Sequence, residues 1–245
     1  MQYSFGSGVL YGRRTDTSNA TPVRFGGLQD VSIDFAFTNK PLFGGLQFPL
    51  AIGRGTGKIG LKAKYAQFNA QAFNDLFFGE ASVATGSTRT SVAEAQTITA
   101  NVVNPTHNTT FAADAGVVKS SDGTLFTRVA NSPTGQQYSC NETTGVYTFN
   151  SSQNNTAVQV SYTYADASNG KIITITNKLL GTAPTFSAIF TEKTADGKQQ
   201  TLTLNSCMSN KLTLATKLED WQIPEFDADV FADSSGTIGT FSMEE

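Results

Sequence analysis

Apolar and polar residues alternate with a period of two along much of this chain, the pattern of half-buried strands. Between Leu28 and Phe37, Val31, Ile33, Phe35 and Phe37 fall on one face, and Asp30, Ser32, Asp34 and Ala36 on the other. In "GKIGLKAKYAQFNAQAFNDLFFG" (57–79) the period changes halfway. Ile59, Leu61, Ala63 and Tyr65 point one way and Lys58, Lys62 and Lys64 the other; beyond Phe68 the repeat lengthens to three or four residues. A strand is predicted to run straight into a helix from Asn69 to Phe78, with Asn69 as N-cap and Gly79 just past the C-terminus. Ala72, Phe73, Leu76 and Phe77 form one apolar stripe, which reads as helix packing against a core. No second helix of comparable strength is visible.

Between these segments lies "TNKPLFGGLQFPLAIGRGTG", rich in glycine and proline yet also apolar. Loops usually lie on the surface, and exposed apolar patches mark interaction sites. The segment Asn39 to Gly53, with Lys40, Pro41, Leu42, Phe43, Leu46, Phe48, Pro49 and Leu50, therefore reads either as a hairpin folded over its own core or as a loop reaching for a partner.

The polar stretch "EASVATGSTRTSVAE" (80–94) reads as a linker. After it come short strands punctuated by turns such as Ser121-Asp122-Gly123 and Thr144-Gly145. Past "ADASNG" longer strands resume: "KIITITN", "PTFSAIFTEK", a hairpin at Ala195-Asp196-Gly197, "QQTLTLNSC", "NKLTLATKL", "WQIPEFDADVFA" and "GTIGTFSM". The expected fold is mainly β with one flanking helix. A discontinuous domain (1–90 plus 166–245) is interrupted by a small β subdomain at 91–165 that projects outward.

Composition sharpens this picture. Only 15% of the 245 residues are charged, against roughly 25% in ordinary soluble domains. That suits a surface not wholly meant for water. The net charge of −3 argues against nucleic-acid binding by the chain as a whole. No basic segment precedes an apolar run near the start, and no stretch approaches the ~18 apolar residues of a membrane span. Cys140 and Cys207 show no pairing pattern and read as reduced thiols of a cytoplasmic product.

Candidate chemistry is sparse. The single histidine, His107, has no ligand-type neighbours at metal-binding spacing. "GTGKIG" matches a dinucleotide-binding pattern by letter, but it leads into a strand, where its amides cannot cradle a pyrophosphate. "DADVFAD" (Asp227, Asp229, Asp233) lacks the alternating oxygens of a calcium loop. No catalytic residue, metal or cofactor is expected. Charge placement says more. Residues 1–80 carry eight bases against five acids, a balance of +3, whereas residues 219–245 carry eight acids and no base. Such a split is resolved either by neighbouring strands of one chain or by head-to-tail contact between copies.

Two stretches, "GKIGLKAKYAQFNAQAFNDLFFG" and "QTLTLNSCMSNKLTLATKLEDWQIPEFDADVFADSSGTIGTFSMEE", resemble the tail tube (major tail) proteins of long-tailed bacteriophages. "GQQYSC…TGVYTF…VQVSYTY" is similar to β modules that interrupt such proteins, although many tube proteins lack the insertion of about 75 residues. The resemblance implies a tube-type β-sandwich or barrel whose copies form hexameric rings, stacked head to tail into a conduit for DNA ejection. It also implies a virion location after synthesis in the host cytoplasm, and tape measure, tail terminator and distal tail proteins as partners. Viral DNA would pass through the lumen without specific binding. The apolar loop becomes the inter-subunit arm, and Lys58, Lys62, Lys64, Asp227, Asp229 and Asp233 become candidate ring-stacking charges. The alternative reading from another class is a virion or secreted β-sandwich adhesin or tail-tip protein that binds a receptor or glycan.

Overall fold

The two alternating segments that flank the glycine-rich stretch are adjacent antiparallel strands. The computed structural model describes residues 6–67, 69–81, 83–216 and 218–244. In chain order its strands are β1 (Val9–Arg14), β2 (Val23–Arg24), β3 (Leu28–Phe43), β4 (Pro49–Tyr65), β5 (Ala84–Thr97), β6 (Val102–Val103), β7 (Phe111–Lys119), β8 (Thr127–Arg128), β9 (Gln137–Asn141), β10 (Val146–Phe149), β11 (Ala157–Ile172), β12 (Thr185–Lys193), β13 (Gln199–Thr213), β14 (Glu225–Phe231) and β15 (Gly239–Met243). The protein is mainly β. It divides into two compact units, Met1–Val83 with Ile173–Glu245, and Ala84–Ile172.

The first unit is one sheet in the order β2-β1-β12-β13-β14-β4-β3, with β15 pairing to β13 beyond the end of β14. Its inward face buries Leu10, Leu61, Ala63, Phe186, Ala188, Leu204, Cys207, Phe226 and Ala228. The sheet curls enough for Phe25, just past β2, to meet Tyr65 edge-on at 5.3 Å and Phe226 at 5.4 Å. Side chains from distant strands thus close one core, and each large one contributes about 1.5–3 kcal/mol on burial.

The change of period after Tyr65 is a strand-to-helix junction. Helix α1 (Ala70–Phe73) continues as a π-helical turn through Asn74–Phe78. The Asn69 Oδ1 accepts from the backbone N–H groups of Gln71 (2.9 Å) and Ala72 (3.4 Å). Gly79 ends the turn at φ +63°, the left-handed region in which a Cβ is unwelcome. Asn74, fully buried, locks the exit by bonding the carbonyl and N–H of Glu80. Leu76 and Ala72 enter the core with Phe73 and Phe77 packed against them. A Cβ on Gly12 would stand 2.8 Å from Leu76, so the glycine in β1 is the space that the helix fills.

The second unit faces a three-stranded sheet (β5-β11-β7) against a four-stranded one (β6-β10-β9-β8). Ile98, Val117, Tyr138, Tyr147, Phe149, Val158, Val160 and Tyr162 fill the space between. The Asp114 carboxylate on β7, almost fully buried, accepts from Tyr138 Oη on β9 (2.7 Å) and Tyr147 Oη on β10 (3.0 Å). One carboxylate thereby ties both sheets together. The chain enters and leaves this unit through one pairing, Ala84 with Ile172.

The structure departs from the sequence reading in several places; "NKLTLATKL" is strand only to Thr213 and "WQIPEFDADVFA" only from Glu225. Residues 84–94, read as part of a linker, form β5 together with 95–97, because β11 supplies a full ladder to a Ser/Thr-rich strand that could not declare itself by apolar alternation. For the same reason the compact unit extends beyond 91–165 at both ends. "KIITITN" is not a strand past Ile172. Its continuation is held by side chains instead: Glu80 accepts from the Thr176 N–H and hydroxyl, and Lys178 Nζ donates to the carbonyls of Phe78 and Gly79.

Two outcomes follow from this packing. Gly12→Ala should lower stability by about 1–3 kcal/mol through overpacking, measured by urea denaturation, and most of that loss should vanish in a Leu76→Ala background. In the second unit, burial alone would raise the Glu94 carboxyl, but bonds from Tyr162, the Thr106 N–H and hydroxyl and Gln96 bring it from 4.5 down to about 2. Its contribution is therefore present above pH 4.5 and lost as the pH falls toward 2. Hydrogen exchange of β5 and β11 amides should accelerate over that window, and Glu94→Gln should flatten the dependence.

Candidate assembly surfaces

Beyond the pair Ile59–Val230, β14 no longer accompanies β4. From Ala36–Lys58 to Phe43–Pro49, β3 and β4 continue alone as a two-stranded ribbon. At ~3.3 Å per residue the ribbon reaches about 30 Å past Lys58. The segment Asn39 to Gly53 is thus neither a loop nor a hairpin laid over its own core. It is the end of this ribbon, with only residues 44–48 outside the strands. Proline is tolerated at Pro41 because β3 is the edge strand.

Both irregularities in this part of the ladder put their extra residue on β4, so β3 alternates unbroken from Val31. Phe35, Phe37, Pro41 and Phe43 accordingly continue the face whose earlier members, Val31 and Ile33, pack on the core. On the ribbon that face has no core beneath it, and Phe35, Phe37 and Phe43 are exposed. Arg54 lies over the Phe37 ring at 4.2 Å, and Phe37 covers Gly57, where a Cβ would meet the ring at 2.8 Å. Lys40 and Leu42 occupy the other face. At the tip, Leu46 is 77% exposed and Phe48 80%, and Leu42, Phe43, Leu50 and Ile52 are exposed with them. A two-stranded ribbon is marginally stable on its own; an apolar one of this length is suited to being covered.

The lysine row lies on the face of the sheet away from the core, among acids of its own chain. Register sets Asp30, Lys64 and Glu225 in one row, Ser32, Lys62, Asp227 and Lys211 in the next, and Asp34, Gly60 and Asp229 in a third. Lys58 Nζ lies 3.1 Å from Asp229, Lys64 Nζ 3.9 Å from Glu225, and Lys211 Nζ 3.8 Å from Glu225. The Asp229 carboxyl is held below its ordinary range, chiefly by Asn210 and then by Lys58. At Gly60 the face sinks into an open depression of about 300 Å³, walled by Asp34, Lys58, Lys62, Asn210, Asp227 and Asp229. Of the charges read as ring-stacking candidates, Lys58 and Lys64 thus meet acids of their own chain, whereas Asp227 keeps a buried oxygen without a hydrogen-bond partner among the described residues.

Asp233 has a different task. It sits in the turn between β14 and β15 and accepts from the Ser235 hydroxyl (2.6 Å), the Thr237 N–H (2.9 Å) and Asn205 Nδ2 (2.8 Å). Those bonds hold its carboxyl at about 2. It organises this turn rather than presenting charge outward. His107 stacks on Tyr164 at 3.9 Å. Cys140 is half-buried and Cys207 buried; both are free thiols, raised by burial to about 11 and about 12. Among the described residues no group of three or more His, Cys, Asp and Glu could hold a metal ion, and no helix is long and apolar enough to cross a membrane.

Sequence reasoning missed a second set of exposed apolar residues. Leu179, Leu180, Leu214, Leu218 and Trp221 stand in the segments before β12 and between β13 and β14. They lack periodicity, and only their exposure in the folded chain marks them. No protein-family model matches the chain, and no curated protein matches its sequence.

Exposed ion pairs contribute about 0.2–1 kcal/mol each. A double-mutant cycle on Lys58→Ala and Asp229→Ala should return a coupling in that range by chemical denaturation of the subunit. The coupling should shrink in 1 M salt, where the screening length falls to about 3 Å.

Proposed function

We propose that this protein is a structural subunit that assembles with copies of itself, stacking head to tail into the tail tube of a long-tailed bacteriophage. The observation that carries this reading is the β3–β4 ribbon. It extends a well-packed sheet by about 30 Å and exposes apolar side chains on both faces of its tip. Each of these would gain about 1.5–3 kcal/mol on burial, which is ample to drive a contact repeated around a ring.

Two further features support the reading. β3 is an edge strand of 16 residues, with one side free to receive a strand from another copy. On the outward face of β3, β4, β14 and β13 the charges are interleaved by sign, unlike the basic walls that bind DNA tightly by releasing counterions. Hexameric rings, passage of viral DNA, and tape measure, tail terminator and distal tail partners rest on the resemblance of "GKIGLKAKYAQFNAQAFNDLFFG" and the C-terminal strands to tail tube proteins.

Negative-stain electron microscopy of the concentrated protein tests the proposal. Rings or tubes are expected. Leu46→Ser with Phe48→Ser should remain monomeric with an unchanged melting temperature, because neither side chain supports the subunit's own core. Discrete wild-type particles at every concentration would sink the proposal and favour a receptor-binding module.

A further inference from the structure

The register of the first unit gives its sheet two distinct ends. Glu225 lies beside Lys64, and Pro49 lies 15 residues further along β4, on the order of 50 Å away along the strand. The ribbon tip projects from one end. The segment joining β13 to β14 sits at the other, and its Pro224 carbonyl accepts from the Tyr65 N–H.

That segment carries "LEDWQIPE" (218–225). Trp221 is 88% exposed and Leu218 94%. An indole so exposed is unusual in a folded domain, and Trp is among the residues most enriched at the energetic centres of interfaces. Its placement is built. Glu219 holds φ +65°, a left-handed conformation costly for a residue with a side chain, and the Asp220 carboxylate accepts from the Trp221 N–H at 2.8 Å.

The two ends also match in charge. Lys58 and Glu225 are already paired within the chain; beyond them the ribbon (36–57) carries Lys40 and Arg54 and no acid, whereas the segment 214–224 carries Glu219 and Asp220 against one base, Lys217. We propose that the Leu218–Trp221 turn is the receptor for the ribbon tip of a second copy, with Leu46 and Phe48 against Leu218 and Trp221 and a ribbon cation near Glu219. Such a contact joins unlike ends of identical subunits and does not close on itself. The assignment rests on the self-assembly proposed above and adds its acceptor.

Trp221 is the chain's sole tryptophan, so its fluorescence reports this turn alone. On assembly its emission should shift to the blue and its quenching by acrylamide should fall several-fold. Trp221→Ala should fold normally yet raise the concentration needed for assembly on the order of tenfold or more. Phe48→Cys combined with Leu218→Cys should give covalent ladders between subunits on oxidation, which neither single variant gives. Polymers in which Trp221 stays as accessible as in the free subunit, or in which the cysteine pair yields no ladder, would overturn this receptor while leaving the tube reading intact. Failure of the wild-type protein to assemble at all would instead remove the reading on which the receptor rests.

Discussion

Register along β4 governs the first unit. Its odd positions from Ile59 to Tyr65 face the core and its even positions carry Lys58, Lys62 and Lys64. A slip of one residue would drive three ammonium groups inward and lift Leu61, Ala63 and Tyr65 into water. The same register sets Lys58 beside Asp229 and Lys64 beside Glu225. It also determines that β14 ends its pairing at Ile59, from which point the ribbon must run alone. Core, charge ladder and projecting arm are three consequences of one alignment.

That alignment separates the packed part of the sheet from the exposed ribbon. From Ile59 to Lys64, β4 has partners on both sides and a packed inward face; from Lys58 back to Pro49 the strand has one partner and no core. On β3 the apolar face continues past this boundary through Phe35 and Phe37, so one stretch of the pattern packs the fold and the rest stays exposed. Asp114 plays the opposite part in the second unit. Its buried carboxylate consumes the hydroxyls of two tyrosines, fixing one arrangement of two sheets and leaving none of those polar groups for a partner.

What could be read in the sequence was what depends on near neighbours. Alternation announced β3, β4 and β14, and the Asn69 and Gly79 caps bounded the helix because each acts within a few residues. The ribbon was harder, since Gly53, Gly55 and Gly57 resemble loop residues until Phe37 is seen lying over one and Thr38 beside another. β5 was hidden for a different reason. A strand of serine, threonine and alanine gains its order from β11, some 70 residues away, and nothing in its own composition carries that information. The partners of the lysine row were likewise invisible, because sequence shows the presence of acids near the C-terminus but not the register that sets them opposite. Exposed Trp221 gave no signal at all, as burial is a property of the fold.

The pairing of Ala84 with Ile172 has a consequence of its own. Partners in an antiparallel ladder lie about 5 Å apart at Cα, so the host chain is interrupted at what is in effect a single point. Such a junction is a socket. Any module whose termini lie side by side could be exchanged there without asking the host strands to move, and the entropic penalty of closing the gap changes only slowly with the length of what is inserted. The host strands can keep their own packing while the passenger diversifies, which would let one scaffold carry many different surfaces.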